Sequence, residues 1–544
     1  MYRRKMWIIC LMMLSWTALA TADNYPRDFR IDVVHYVFRF ALNDTTDQIN
    51  AKAEIDIRFK EAGVISFCLD LVGKASQKDS TGMTVATVEE NHSLAGFAHR
   101  DSRVIIRMTS PSRAGEIRRY TVSYRGRPAD GLIIARNKYN ERTFFGDNWP
   151  DRARHWLPVV DHPSDKATCE FIVTAPEQYQ VIASGRLAEE SNLTEGRKLT
   201  RWKSVAPLAT KVMVMGVARF AVAHLEPYRS IPLESWVYPR DRDAGFTDFA
   251  QVRKIIAFFD AHVGPFAYAK LASVQSTTRY GGMENAGNVF YHERSVRGDR
   301  SNERLMAHEI AHQWFGDAIS EADWHHIWLS EGFATYFTHL YTAFHHGRDR
   351  MVAGLKRDRD RIFAYEKKHP QSPVVDTAIT NLMRLLSTNS YQKGSWVLHM
   401  LRRELGDDVF WDGIREYYRT FCNTSVLTSD FCAVMERVSC RELTWFFRQW
   451  IQTPGHPTLK GSWHWDRKTQ EVVIRLDQVQ KDGTIFRFPL DIALKSEDGI
   501  SIRTQTEKVD QLHQIFRIPS EQKPADIMLD PDTWLLMEGA CEQQ

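Results

Sequence analysis

The chain has 544 residues, 43% apolar and 26% charged, with a formal net charge of +3. That length exceeds one ordinary core, so three or four domains are expected. The near-neutral balance, without a long run of one sign, excludes an electrostatic case for nucleic acid or an anionic membrane surface as partner.

The amino terminus reads as an address. Arg3, Arg4 and Lys5 precede an almost wholly apolar run from Met6 to Ala20, and Ala20-Thr21-Ala22 fits a small-residue cleavage site before Asp23. The run is too short for a comfortable bilayer span. Residues 1–22 are therefore expected to be a cleaved secretory signal peptide, with an uncleaved anchor as the lesser option. No second stretch is long and apolar enough to cross a membrane, so a periplasmic or extracellular location is expected.

Six cysteines follow the signal segment: Cys68, Cys169, Cys422, Cys432, Cys440 and Cys541. None has metal-ligand spacing, and they are too sparse for a disulfide framework, so buried apolar thiols are expected. A helical segment between Cys432 and Cys440 would hold them ~12 Å apart, beyond disulfide reach.

From Tyr25 to about Leu225 the pattern is strand-like. Ile31 to Leu42 and Ile49 to Phe59 alternate apolar and polar residues. Val104 to Met108, Arg119 to Tyr124, Glu170 to Thr174 and Lys211 to Val217 continue it, between turn-rich joints. An antiparallel, sheet-on-sheet β domain of about two hundred residues is expected. Near Leu233 the pattern changes. Val252 to His262 reads as a helix and Leu271 to Thr277 as a strand leading into Gly281. Helical periodicity then dominates from Glu303 to about Gln452, including Leu382 to Leu386, Lys393 to Leu405 and Phe410 to Phe421. Thr453-Pro454-Gly455-His456-Pro457 breaks it. Glu471 to Leu476, Phe486 to Leu494, Ile502 to Thr506 and Gln514 to Ile518 read as strands of a C-terminal β-sandwich.

The chemistry concentrates between Glu303 and Leu340. His308 and His312 stand four apart in a helical segment, ~40° from each other, with Glu309 within the same ~100° arc. Met306, Ile310 and Trp314 lie opposite, spaced to pack on a core. Two neutral imidazoles on one face suit zinc, with a carboxylate beside them as base. Eighteen residues separate His312 from Glu331, at the start of a second helical pattern with Phe333, Phe337, Leu340 and Phe344 on its apolar side. A returning helix would bring Glu331 alongside, and two His plus one Glu leave a fourth coordination position open, as catalytic zinc sites do.

Tyr280-Gly281-Gly282-Met283-Glu284-Asn285 reads either as a plain glycine-rich turn or as an edge strand where a peptide backbone can pair. In the second reading Glu284 sits at the end of the bound peptide, positioned for a free α-ammonium. Tyr391, ahead of a helical segment, is either a packing residue or a phenol that donates to an oxyanion. His325, His326, His339, His345 and His346 crowd the second helix but are surplus to a complete ligand set. Asp317, Glu321 and Asp323 are candidate acceptors for ligand imidazoles. The charged run Lys356 to Arg361 reads as a solvated helix face.

Taken together, these motifs resemble the zinc aminopeptidases that include aminopeptidase N and the bifunctional leukotriene hydrolase. Gly281 to Asn285 is similar to that family's G-x-M-E-N signature, and His308, Glu309, His312 and Glu331 match its HExxH-x18-E pattern. Tyr391 stands about sixty residues beyond the third ligand, as the family's tyrosine does. Trp156-Leu157-Pro158 and the segment Asp161 to Thr168 extend the likeness more thinly. The resemblance implies a multidomain α+β fold: an N-terminal antiparallel β domain (23–228), a thermolysin-like, mainly helical catalytic domain (229–455) and a C-terminal β-sandwich (456–544). It implies one zinc ion held by His308, His312 and Glu331. Glu309 would be the general base and Tyr391 the oxyanion donor. Glu284, with Gly281, Gly282 and Met283, would bind peptides with a free N-terminus, whose first residue is removed. The competing readings are a zinc hydrolase of a blocked or non-peptide substrate, and a peptide-binding relative. Two departures stand out. Where relatives carry a Glu or Gln near the substrate amine this chain has Trp149, with Asp147 and Asn148 beside it. Many relatives also continue into a helical domain that roofs the site; this sequence stops at Gln544, so a more open site, or one closed by another subunit, is expected.

Overall fold

The computed structural model describes residues 23–77, 81–497 and 500–544. The expected signal peptide, residues 1–22, lies outside the described residues. Among the described residues no helix is long and apolar enough to cross a membrane.

Strand Ile31–Ala41 buries Ile31 and Val33, then Tyr36, Phe38 and Phe40. The change of phase comes from a bulge between Val33 and His35, where one extra residue turns the alternation over. Ile49–Phe59 and Ile117–Arg127 continue the sheet antiparallel on one side. On the other side lies a departure from the antiparallel expectation: Ile31–Ala41 pairs parallel with Lys166–Pro176, His35 opposite Thr168. Alternation specifies which face of a strand is buried and is silent about the direction of its neighbour. A second sheet runs in the order Gln180–Ala183, Met215–Ala218, Arg142–Gly146, Leu132–Arg136. The expected strand Lys211 to Val217 is split: Thr210–Val212 is a single 3-10 turn and only Met215–Ala218 is strand. The turn aims the fully buried Lys211 at Glu321, Nζ to Oε1 2.6 Å, across to the helical region.

A five-stranded sheet follows, in the order Ala221–Tyr228, Ile231–Val237, Leu271–Ser276, Asn288–His292, Gly282–Met283. Among the described residues the helices of eight residues or more are α1 (Arg242–Phe249), α2 (Val252–His262), α3 (Glu303–Ala311), α4 (Trp328–His346), α5 (Arg348–Glu366), α6 (Gly394–Leu405), α7 (Asp407–Phe421) and α8 (Thr428–Ser439). Met306, Ile310 and Trp314 are wholly buried, as their spacing predicts. Phe333, Phe337 and Leu340 of α4 are buried too. Phe344 is not: it is 63% exposed, because the last turn of α4 runs past the core with His345 and His346. Leu382–Leu385 is a 3-10 turn, and Asn389–Lys393 a π turn that feeds α6.

The strand-rich C-terminal region holds two sheets, one of His513–Pro519, Glu471–Gln478, Thr458–Asp466 and Glu538–Gln543, the other of Ser501–Val509, Phe488–Lys495 and Asp526–Leu529. Trp463, Ile474, Leu490 and Ile492 fill its interior. The six cysteines are free thiols. Cys169, Cys432 and Cys541 are buried as expected; Cys440 is exposed, and Cys68 and Cys422 are half-buried. Cys440 closes α8 in the left-handed conformation, at φ 53°, at a helix end that faces solvent.

Candidate metal centre

Helix α3 turns its apolar side to the core and presents His308 and Glu309 on the other. His312 follows at the helix end, still in helical conformation. The chain reverses and returns as α4, with Glu331 in its first turn, where the helix dipole favours a carboxylate. The three ligand atoms converge. His308 Nε2 and His312 Nε2 are 3.2 Å apart, and Glu331 Oε2 lies 3.5 Å and 3.3 Å from them. Ligands about 2.0–2.1 Å from a tetrahedral zinc stand about 3.3 Å from one another, so the set fits that ion. Glu331 Oε2 is buried without a hydrogen-bond partner, the position of an atom that faces a cation.

The ring nitrogens are assigned by chemistry. His312 Nδ1 is 3.1 Å from the Phe315 carbonyl, which only accepts, so Nδ1 carries a proton and Nε2 is the nitrogen turned toward His308 and Glu331. The acceptor is thus a backbone carbonyl rather than Asp317, Glu321 or Asp323. Those three accept from Gln313 (2.9 Å), Lys211 (2.6 Å) and the Asp23 amide (2.8 Å) respectively. Burial, outweighed by the two imidazoles, leaves the Glu331 carboxyl well below the usual range. Burial pushes Glu309 well up, and the carboxylates of Glu284 and Glu331 push it further.

Glu284, Glu309 and His312 each place a ligand-type atom within 4.8 Å of the others. Gly282–Met283 is the edge strand of the five-stranded sheet, antiparallel to Asn288–His292 with Met283 opposite Phe290. A Cβ on Gly282 would lie 2.4 Å from the Glu309 carboxyl carbon, so a glycine here is what admits that carboxylate. Gln313 fastens this strand to the ligand helix: its Nε2 donates to Glu284 O (2.7 Å) and its Oε1 accepts from Gly287 N (2.8 Å). No motif distinguished Gln313 in the sequence; its adjacency to His312 is the one cue.

Tyr391 stands on the π turn with its ring parallel to His308, centroids 6.1 Å apart. Burial and the neighbouring carboxylates hold its phenol protonated. The turn comes this close because α4 and α6 touch at two glycines; a Cβ on Gly332 would sit 3.0 Å from Gly394 Cα. Lys393, fully buried, ties the turn to Glu366 (2.6 Å) and to the Gly455 carbonyl (2.8 Å).

A cavity of about 260 Å³ opens on these groups, its walls including Trp149, Tyr280, Met283, Leu386 and Tyr391. Of the three residues left open by the sequence, Trp149 lines it. Asn148 is used elsewhere, its amide bonding Thr210 O, Met213 O and Trp156. Asp147 pairs with Arg152 at 2.6 Å, and burial pushes its carboxyl up to about 6. The surplus histidines have other partners: His325 the Ile379 carbonyl, His326 Thr428, His339 Asp358, His346 Glu303, while His345 packs on Tyr341. The run Lys356 to Arg361 is solvent-facing apart from Asp358, half-buried Arg359 lying between.

Two family models match the chain: the peptidase family M1 domain over residues 248–450 and the peptidase M1 N-terminal domain over residues 33–211. Among curated relatives, a probable aminopeptidase 2 of Sulfurisphaera tokodaii is 24% identical over 70% of this chain and 50% of its own length. Glutamyl aminopeptidase of Bos taurus is 26% identical over 58% of this chain and 34% of its own. The chain thus spans half or less of these relatives. In fold it is similar to Legionella pneumophila aminopeptidase A, solved in complex with aspartic acid, with TM-score 0.81 and 16% identity over 94% of this chain and 60% of that one.

Proposed function

We propose, from the premise that this chain belongs to the peptidase M1 family, that it is a zinc aminopeptidase removing the first residue from peptides with a free amino terminus. The observation that carries this reading is the meeting, in one cavity, of a three-atom ligand set with Glu309 and Glu284. His308, His312 and Glu331 would hold the ion. Bound zinc would supply a Lewis acid for the attacking water and the scissile carbonyl.

The chain's own groups do the rest. Glu309, with its raised proton affinity, takes the proton from the attacking water and passes it to the departing amine. Tyr391 donates a hydrogen bond to the carbonyl oxygen as charge builds there. Glu284 binds the substrate ammonium, which limits cleavage to the first peptide bond. Gly281 and Gly282 leave the edge strand low enough for a substrate backbone to pair with it. We read the protein as exported, its leader cut before Asp23, to the periplasm or beyond.

The test is an aminoacyl-arylamide assayed beside its N-acetylated twin, each with and without chelator. The free-amine compound is expected to be cleaved, and chelation to stop it. Faster cleavage of the blocked twin would overturn the exopeptidase reading.

A second expectation concerns Gly282→Ala. The added methyl meets a side chain and not backbone, so the fold adapts by moving Glu309. A displacement of this kind costs about 10²-fold in turnover. Thermal unfolding and zinc content are expected to stay near the parent's; an unchanged kcat would show that Glu309 has no need of that space.

A further inference from the structure

The first residue after the expected leader is buried in the molecule. The Asp23 side chain is 3% exposed, and its backbone nitrogen donates to Asp323 Oδ2 at 2.8 Å, across 300 positions of sequence. Its carboxylate Oδ2 accepts from His162 Nε2 (2.8 Å), from the Trp324 amide (3.0 Å) and from Arg27 (3.2 Å). Arg27 also reaches Asp323, at 3.3 Å. His325 touches the other Asp323 oxygen. His162 belongs to the Asp161–Thr168 segment, whose role the proposed catalysis does not use. Its ring also stacks on Tyr25, centroids 4.9 Å apart, and the Arg154 guanidinium lies over the same Tyr25 ring at 5.7 Å.

Two carboxylates therefore meet in a buried junction with one permanently charged guanidinium between them. A buried charge of this kind calls for a partner. Beyond Arg27 and the imidazoles of His162 and His325, a further cation for Asp323 has a natural source. As a peptide nitrogen, Asp23 N is neutral. Hydrolysis of the Ala22–Asp23 bond by an export-linked endopeptidase adds the water's OH to the Ala22 carbonyl and its hydrogen to the Asp23 nitrogen. One further proton from solvent makes an ammonium.

We infer that cleavage before Asp23 is a structural maturation step, in which the new α-ammonium forms an ion pair with Asp323 and locks the turn that launches the Glu331 helix. This rests on the export reading above. The turn Asp323–His326 leads straight into α4 at Trp328, and Glu331 follows in its first turn. Trp324, held by the Asp23 carboxylate, packs edge-on against Trp149 of the cavity wall at 5.8 Å. The lock thus bears on a metal ligand and on the substrate cavity together.

The junction is sensitive to a single residue. Retaining Ala22 moves the charged nitrogen ~3.8 Å along the chain, out of its contact with Asp323. Three full-length mature forms test this: one starting at Asp23, one starting at Ala22, and the Asp23 form carrying Asp323→Asn. An amine paired with a buried carboxylate holds its proton more tightly than the usual terminus of about 7.7–8.0. At pH 7.5 the Asp23 form should therefore acylate at its terminus about tenfold more slowly than the Ala22 form. Asp323→Asn should restore the faster rate, which burial alone would not predict. The Asp23 form should also release zinc to a chelator several-fold more slowly than either other form. Equal acylation rates in the Asp23 and Ala22 forms would overturn the lock. The mass of the exported protein tests the cleavage site by itself: a product that begins elsewhere overturns the maturation step, whatever the activity assays give.

Discussion

Glu309→Gln is expected to lower kcat by about 10²–10⁴-fold, the span general acid–base catalysis supplies, with zinc still bound. Glutamine keeps the shape and the neutral hydrogen bonds of the side chain but cannot accept and return a proton. The environment explains why this carboxylate is suited to the task. Glu309 is 5% exposed, and burial with the carboxylates of Glu284 and Glu331 raises its proton affinity far above that of a solvated glutamate. A base matched to the leaving amine must accept and also hold a proton, and an ordinary surface carboxylate holds one poorly. The ligand set is untouched by the change, so metal analysis should give the parent's stoichiometry. A variant that turns over at the parent's rate would remove Glu309 from the mechanism.

Glu331→Ala is expected to abolish both zinc retention and activity. Its Oε2 is one corner of the triangle with His308 and His312, at 3.5 Å and 3.3 Å. Two imidazoles four residues apart on one helix remain, a set that leaves half of a tetrahedral shell to solvent. The measurement is the difference in unfolding midpoint between zinc-loaded and chelated protein. In the parent, zinc at a thousand times its dissociation constant adds about 4 kcal/mol to stability. In the variant that difference should vanish, because the native state no longer binds the ion tightly. A variant that keeps stoichiometric zinc through dialysis would place the third ligand elsewhere.

The ligand helices were legible because their signal is local. Four residues along a helix return a side chain to the same face whatever the rest of the chain does. The apolar positions Met306, Ile310 and Trp314 independently set which face is buried. The eighteen-residue interval to Glu331 is long enough for one reversal and short enough to leave few others. Strands in the outer regions were legible as strands for the same reason, since period-two alternation follows from the pleat.

What the linear text could not carry was pairing between distant segments. The parallel partner of Ile31–Ala41 lies some 130 residues on, and no property of either strand names the other. Lys211 reads as a strand residue until Glu321 is brought beside it. Gly282 reads as a turn glycine or as room for a peptide backbone on an edge strand, and only the docked α3 shows that Glu309 occupies the space its missing side chain leaves. Trp149, Asp147 and Asn148 were equal candidates in sequence; packing put the indole on the cavity wall and engaged the other two elsewhere. The sequence by itself determined most of the kinds of element and which side chains are offered to a metal, His308, His312 and Glu331, since both follow from short-range periodicity and side-chain chemistry. Only the tertiary structure decided which distant groups meet them, including the Asp23 amide on Asp323, because burial and electrostatic coupling depend on distance in space and not along the chain.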